Sequence, residues 1–350
     1  MNSSNDYRGI RVVHAANYQL EKDGLVFSNC DIKMGQGLIQ NGCYVYPFSI
    51  NDRARMLSFL GSKTWGKGKA NRALIQTCVN VAPDVLVLGH AQYITRDTLL
   101  EIRRLLPAIK IAFWYVDALW DPKNIEHIHQ RTDTLDSVIV TSSGPLLKAL
   151  SRPNCPAGYM PNPVEPSVER LRAFENPKPE YDLVFFGSEK YAADRIIFLE
   201  RLVAALPELR IGIFGSLNQP KVFGSQKDKI LASSRMALNL NRRNDVELYS
   251  SDRIAQLTGN GLLTLTHHGA GFEQLFTPEE VGYFDTVEDL ITTVRRFKQN
   301  DAEARAVAEN GWRRAHADYS AARVAQFMLD LTFRNERYLS APWSSHVFWG

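Results

Sequence analysis

The feature that most constrains this chain is an alternation. Short runs rich in β-branched and aromatic residues are each followed by an amphipathic stretch of helical length, and a proline-rich segment breaks the series once, near the middle. That order predicts strand, crossover helix and parallel strand, repeated in two blocks. In the first block the predicted strands are "IRVVHAA" (10–16), "CYVYPFS" (43–49), "DVLVLGH" (84–90), "IKIAFWYVD" (109–117) and "DSVIVTS" (136–142). They are more uniformly apolar than half-exposed antiparallel strands, as expected where helices cover both faces of a sheet. From Pro153 to Pro179 seven prolines block regular structure and stiffen the chain. The alternation resumes with "YDLVFFGS" (181–188), "RIGIFGS" (210–216), "MALNLNR" (236–242), "LLTLTH" (262–267) and "VGYFD" (281–285). Three helical stretches close the chain, with Asp301 and Ser320 placed as N-caps of the last two.

At 350 residues the chain exceeds what one hydrophobic core serves. The expected fold class is therefore α/β, with two doubly wound, Rossmann-like parallel-sheet domains facing each other across a cleft. The pattern divides the chain into a domain at 1–160, a proline-rich linker at 161–180, a second domain at 181–318, and a helix with an aromatic tail at 319–350 that packs back on the first. The tail "APWSSHVFWG" could alternatively touch a membrane surface.

A net charge of +3, with basic residues scattered rather than gathered in a stripe, argues against nucleic acid as a partner. The start "MNSSNDYRGIRVVH" has no apolar leader, and the run at "IAFWYVDALW" is too short to span a bilayer, so a cytoplasmic protein is expected. Cys30, Cys43, Cys78 and Cys155 lie far apart and read as incidental or buried thiols.

Several motifs invite a function and do not meet its requirements. "GSKTWGKG" (61–68) approaches a phosphate loop but has Gly68 where a hydroxyl is required, and follows a helical stretch rather than a strand. "GQGLIQNG" (35–42) is read as a glycine-rich loop after the first strand, either a plain connection or a lining for substrate through Gly35 and Gly37; it lacks the dinucleotide spacing. The pairs His127/His129 and His267/His268 lack a converging third ligand, and no Asp-x-Asp occurs anywhere, so neither metal nor cofactor is expected. "HHGAGFEQLF" (267–276) reads as a glycine turn opening a helix, a geometry that suits phosphate but also serves a plain connection. Around it lie Arg235, Arg242, Arg243 and Arg253, cations of the kind a diphosphate leaving group needs. Asp117, after a strand of the first block, is the carboxylate nominated to face an acceptor, with a helix cap as its other reading; His14 and His90 are weaker candidates.

The order "MALNLNR", "DRIAQLTGNGLLTLT", "HHGAGFEQLF", "VGYFD" and the alanine-rich tail resembles the carboxyl-terminal domain of the GT-B glycosyltransferases, and most closely the CgeB-like (spore-protein YkvP/CgeB) glycosyltransferase family, over about residues 230–330. The resemblance implies a first domain on the acceptor side and a second that binds a nucleotide-sugar. It implies that Arg253 sits near the donor diphosphate, that the turn Gly269, Ala270, Gly271 offers N–H groups to donor phosphate or sugar, and that Glu273 is close to the nucleotide. Gly187, Ser188, Arg235, Asn239, Gln256 and His268 are the further expected donor contacts; Asp117 and Glu273 are the expected catalytic carboxylates, and Gly35, Gly37 and His90 are expected toward the acceptor. Gln256 stands where the family usually has Glu. The implied function is metal-independent sugar transfer to a hydroxyl of a bacterial cell-surface glycan or glycolipid, with peripheral contact at the inner membrane. Alternatives of the same fold are a sugar-nucleotide epimerase and a non-catalytic glycan-binding protein.

Overall fold

The computed structural model describes residues 7–188 and 193–350, which fall into two compact units: the residues up to Pro163 together with Ala321–Gly350, and Val164–Ser320.

In the first unit, strands β1 (Arg11–Ala16), β2 (Tyr44–Ser49), β3 (Val85–Leu88), β4 (Lys110–Tyr115), β5 (Ser137–Val140) and β6 (Ala157–Tyr159) form a parallel sheet in the order β6-β5-β4-β3-β1-β2. Helices α1 (Cys30–Gln40), α2 (Ile50–Met56), α3 (Lys63–Val81), α4 (Arg96–Leu105), α5 (Pro122–His129) and α6 (Pro145–Lys148) make the crossovers. The "VLVL" of β3 and "SVIV" of β5 are buried throughout, as a sheet covered on both faces demands. Asn29, Thr95 and Asp121 start α1, α4 and α5 by accepting backbone N–H bonds from Ile32, Thr98 and Lys123. Asp117 caps no helix.

Two glycine readings need correction. Gly35 and Gly37 are not in a loop: both lie inside α1, and the first predicted connection is helical. A Cβ on Gly37 would stand 2.1 Å from the Ala321 carbonyl oxygen, so this glycine serves close helix packing. Likewise Gly66 of "GSKTWGKG" lies in α3, where a Cβ would meet the Ala54 oxygen of α2 at 1.7 Å.

In the second unit, β7 (Tyr181–Phe186), β8 (Ile211–Phe214), β9 (Ser234–Asn239), β10 (Leu263–His267) and β11 (Gly282–Phe284) form an all-parallel sheet in the order β11-β10-β9-β7-β8. Around it run α7 (Ala193–Ala205), α8 (Gly224–Ala232), α9 (Arg253–Gly259), α10 (Val287–Gln299) and α11 (Asp301–Asp318). The core joins Leu183 and Phe185 of β7 to Met236, Leu238, Leu265 and Phe297. Residues 164–180 belong to this unit, where Phe174 is buried against Trp312 with ring centroids 5.9 Å apart. Asp301 is not an N-cap: Asn300 takes that place, and the Asp301 carboxylate instead pairs with Arg235 and Arg305.

The end of the chain returns to the first unit. Helix α12 (Ala321–Phe333) packs along α1, Trp343 is buried, and β12 (Val347–Phe348) adds an antiparallel edge to β6. Neither β6, set among prolines, nor the two-residue β12 has a run long enough to be read as a strand in sequence.

Each parallel sheet reverses its direction of winding once, between β1 and β3 in the first unit and between β7 and β9 in the second. Open α/β sheets bind ligands outside the carboxyl ends of their strands at such a switch point.

Candidate functional site

At the switch point of the second sheet two arginines tie the strand ends together. Arg253, the first residue of α9, donates from Nη1 to the Phe186 carbonyl at 3.1 Å, from Nη2 to the Leu240 carbonyl at 2.8 Å and from Nε to Asn239 Oδ1 at 3.2 Å. Arg195 of α7 donates to the Ser188 carbonyl at 2.8 Å and to the same Leu240 carbonyl at 3.0 Å. Both guanidinium groups lie near the buried ring of Phe185, at 5.7 and 5.3 Å from its centroid. Neither has a carboxylate partner among the described residues, and the buried Nε of Arg195 has no acceptor. Burial, then the charge of Arg195, lowers the Arg253 pKa to about 9. A guanidinium has five N–H donors, so each keeps donors to spare. Together with Ser188, Asn241, Arg242, Tyr249 and Ser251 they line a cavity of about 360 Å³. Two desolvated like charges are costly, and an anion in that cavity would offset the cost.

The other sequence candidates distribute around this point. Gly187 ends β7, and its carbonyl accepts from Ser216 Oγ at 2.8 Å. Asn239 is fully buried and reaches Ser250 and Thr266 as well as Arg253. Gln256 is engaged on both sides, accepting from Lys227 and donating to Asp252 at 2.7 Å.

The turn after β10 is not the start of an α-helix. It consists of two three-residue 3₁₀ turns, His268–Ala270 and Phe272–Gln274, joined by Gly271 at φ 72°. Its glycine N–H groups are already engaged: Gly269 donates to His267 Nδ1 at 2.9 Å and Gly271 to the His268 carbonyl at 2.7 Å. The helix-dipole argument for a phosphate cradle therefore does not apply to this segment. Gly269 is required for another reason, since a Cβ there would stand 2.8 Å from the Asn244 carbonyl. His268 stacks on Tyr283 with centroids 4.8 Å apart and lies between Asp285 and the exposed Glu273, at 3.2 and 3.7 Å.

Arg235 belongs elsewhere. It opens β9, so a parallel sheet places it at the opposite edge from the strand carboxyl ends. There it is buried, donates to the Asn176 carbonyl at 2.8 Å and pairs with Asp301. Arg235 thus lies away from the switch point.

At the switch point of the first sheet the charges are matched. Asp31 of α1, 2% exposed, accepts from His90 Nδ1 at 3.0 Å and from the Asn17 N–H at 3.1 Å. Burial works against both ions, but the pairing prevails: the His90 pKa is raised well above its ordinary value and that of Asp31 is lowered. His14 lies inside β1 rather than at its end; burial lowers its pKa to about 4, its Nδ1 is 2.7 Å from the Tyr18 hydroxyl, and its Nε2 has no partner. Asp117 follows β4 half-buried and accepts from Gln92 at 3.4 Å. A Cβ on Gly35 would meet His14 Nδ1 and the Tyr18 hydroxyl at 3.5 Å, an ordinary contact. Among the described residues no cluster of His, Cys, Asp or Glu could hold a metal ion; His127 instead lies against Phe113 and Tyr115.

Arg195 and Asp31 are the residues sequence reasoning missed. Each is a charge set in an apolar helical stretch, Arg195 in "RIIFL" and Asp31, with Lys33, in "CDIKMG", which is the only local signal of a buried role.

Residues 195–330 match a protein-family profile described as "Glycosyl transferase-like". No curated protein sequence matches the chain. Among solved structures, sucrose-phosphate synthase from Thermosynechococcus elongatus is similar with a TM-score of 0.60 at 11% identity, over 95% of this chain and 100% of that one. The trehalose-6-phosphate synthase OtsA is similar with a TM-score of 0.58 at 12% identity, over 92% and 98%. HepE from Anabaena, solved in complex with UDP, gives 0.52 at 10%, over 95% and 100%. At such identities the likeness is one of fold. The chain has the α/β fold of the GT-B glycosyltransferases, with two parallel sheets, and Arg195, Arg253 and the turn after β10 lie in its glycosyl transferase-like region.

Proposed function

We propose that this chain is a glycosyltransferase that moves a sugar from a nucleotide-sugar to a hydroxyl of a bacterial cell-surface glycan or glycolipid, and that it belongs with the CgeB-like enzymes. One observation carries the reading: a buried and a half-buried arginine, with no carboxylate partner among the described residues, tie together the strand ends at the switch point of the sheet in the glycosyl transferase-like region. A nucleoside diphosphate is an anion of suitable charge for that place, and HepE was solved with UDP.

In the transfer, the acceptor oxygen attacks the anomeric carbon, and the bond from that carbon to the diphosphate oxygen breaks. The acceptor proton passes to a base, and the nucleoside diphosphate departs with the electron pair. Arg195 and Arg253 stabilise the charge that grows on the leaving group, which is why the proposal needs no divalent ion. Asp117 is the base. His90, held as an imidazolium by Asp31, has no lone pair to accept the proton. Because the glycine N–H groups are used within the turn, we give the phosphates to the guanidinium groups, and to His268 and Glu273 the placing of the sugar.

The test is a thermal-shift panel of UDP, GDP, ADP, TDP, CMP and their sugar conjugates, with and without divalent metal. A ligand at 100 times its Kd adds about 2.7 kcal/mol, which is a shift of a few degrees for a chain of this size. Selective stabilisation by one nucleotide without metal is the expected result. A flat response from folded protein overturns the transferase reading in favour of a non-catalytic glycan-binding protein.

A further inference from the structure

The α2–α3 hairpin of the first unit carries an exposed apolar tip. Phe59 is 98% exposed and Trp65 71% exposed, and Met56 and Leu60 project beside them. Four large apolar side chains at one tip are an unusual exposure for a protein with a well-filled core. The inward side of the hairpin is already closed: Ala54, Gly66, Ala70 and Leu74 are buried, and the two helices touch at Gly66. The apolar tip therefore cannot turn inward without unpacking that contact.

The charge around the tip has one sign. Residues 53–83 contain no Asp or Glu, and they contain Arg53, Arg55, Lys63, Lys67, Lys69 and Arg72. Arg55 is paired with Glu21 and Asp52, and Arg53 lies over Phe48. Lys69 and Arg72 are exposed, have no ion-pair partner among the described residues, and follow Trp65 at helical spacing, four and seven residues on. One face of α3 thus carries an aromatic side chain at its end and cations above it. Tryptophan favours the boundary between headgroups and acyl chains, and lysine and arginine stems reach from there to anionic headgroups.

We infer that the α2–α3 hairpin docks this protein on an anionic lipid bilayer, with Phe59, Leu60 and Trp65 entering the interface and Lys69 and Arg72 meeting the headgroups. The tip stands at the carboxyl edge of the first sheet, because α2 follows β2 directly. It is also joined to the segment after His90: the Lys63 ammonium lies over the Tyr93 ring at 5.7 Å, and Asn71 donates to the Tyr93 carbonyl at 2.9 Å. Resting on the transferase reading, this placement makes the acceptor a lipid-borne hydroxyl compound, presented at the membrane beside Asp117 and His90. The docking itself does not depend on that reading. Neither the exposed tip nor the acid-free stretch involves the aromatic tail, whose Trp343 is buried.

The experiment is co-sedimentation of the full chain with vesicles of phosphatidylglycerol and phosphatidylcholine, against phosphatidylcholine alone, at low and high salt. The expected result is binding to the anionic vesicles only, weakened at least tenfold by 0.5 M salt. Phe59→Ser with Trp65→Ser, and separately Lys69→Glu with Arg72→Glu, should each weaken it at least tenfold while leaving nucleotide-induced thermal shifts unchanged. Absence of binding, equal binding to neutral vesicles, or binding that survives both double variants overturns the inference. So does a lipid-independent dimer that the same variants dissociate, because the tip would then be a contact between copies of this chain. The nucleotide shift reads the transferase proposal separately, so either can fail alone.

Discussion

At the switch point of the first sheet a buried carboxylate and an imidazole neutralise each other; at that of the second, two guanidinium groups stand without a countercharge among the described residues. The two sheets share their strand order up to these points, so topology does not produce the contrast. It comes from which charges the flanking helices bring: Asp31 from α1, Arg195 and Arg253 from α7 and α9. A self-neutralised edge is stable when empty and suits an uncharged ligand such as a hydroxyl compound. An edge with surplus cation is stabilised by an anion. On the proposed function, the donor belongs to the second unit and the acceptor to the first.

The contrast can be broken most forcefully at Asp31. Asp31→Asn removes the carboxylate that holds the partly exposed His90 imidazolium and should destabilise the protein by about 3 kcal/mol, measured by urea unfolding at about pH 5. The pH dependence follows from the directions of the shifts. The raised His90 contributes fully below its usual 6.5 and loses its contribution as pH rises through its folded value. The lowered Asp31 contributes fully above its usual 3.8 and loses it as pH falls. The stability gap between wild type and Asn variant should therefore be widest between 3.8 and 6.5 and narrow on both sides. A gap that is flat with pH would mean the pair is not ionised.

Next in size, Arg253→Met should weaken nucleotide binding about 100-fold, or about 2.7 kcal/mol, by calorimetry. The change also takes donors from Asn239 Oδ1 and from the Phe186 and Leu240 carbonyls, which offsets the relief of removing a desolvated cation, so the empty protein should lose only about 1–3 kcal/mol of stability. A variant that melts much lower and still binds would make Arg253 a purely structural staple, and the contrast would disappear. Gly37→Ala should cost about 1–3 kcal/mol, because its Cβ meets the Ala321 carbonyl at 2.1 Å. The same change should leave nucleotide affinity alone. Smallest of all is Arg235→Gln, for which nucleotide affinity should change less than threefold, whatever the loss in stability; a larger drop would move the donor site to the other edge of the sheet.

What is legible in the sequence depends on the range of the interaction. Ten of the strands were legible because central parallel strands are buried apolar runs, and burial of that kind is written locally. The glycines misled because Gly37 answers to Ala321, a partner at the far end of the chain. The pairing of Asp31 with His90, 59 residues apart, has no local signature either. Arg235 and Arg253 look alike in the linear chain, yet strand direction separates them: a residue that begins a parallel strand cannot be at its carboxyl end. The turn at 267–271 was recognised as a special backbone, but its hydrogen bonds to itself become visible only in three dimensions.

The return of α12 and β12 has a consequence for how the molecule is made. The second unit begins and ends at neighbouring points, where the Val164 N–H donates to the Tyr319 carbonyl at 2.9 Å, so it is an insertion closed at its own base. All of its residues are joined before the last helix of the first unit is synthesised. The inserted unit has its whole sequence by residue 320, while the first, its Gly37 face still bare, must wait for Ala321–Phe333. A stop codon after residue 320 would thus impair the unit that was translated first.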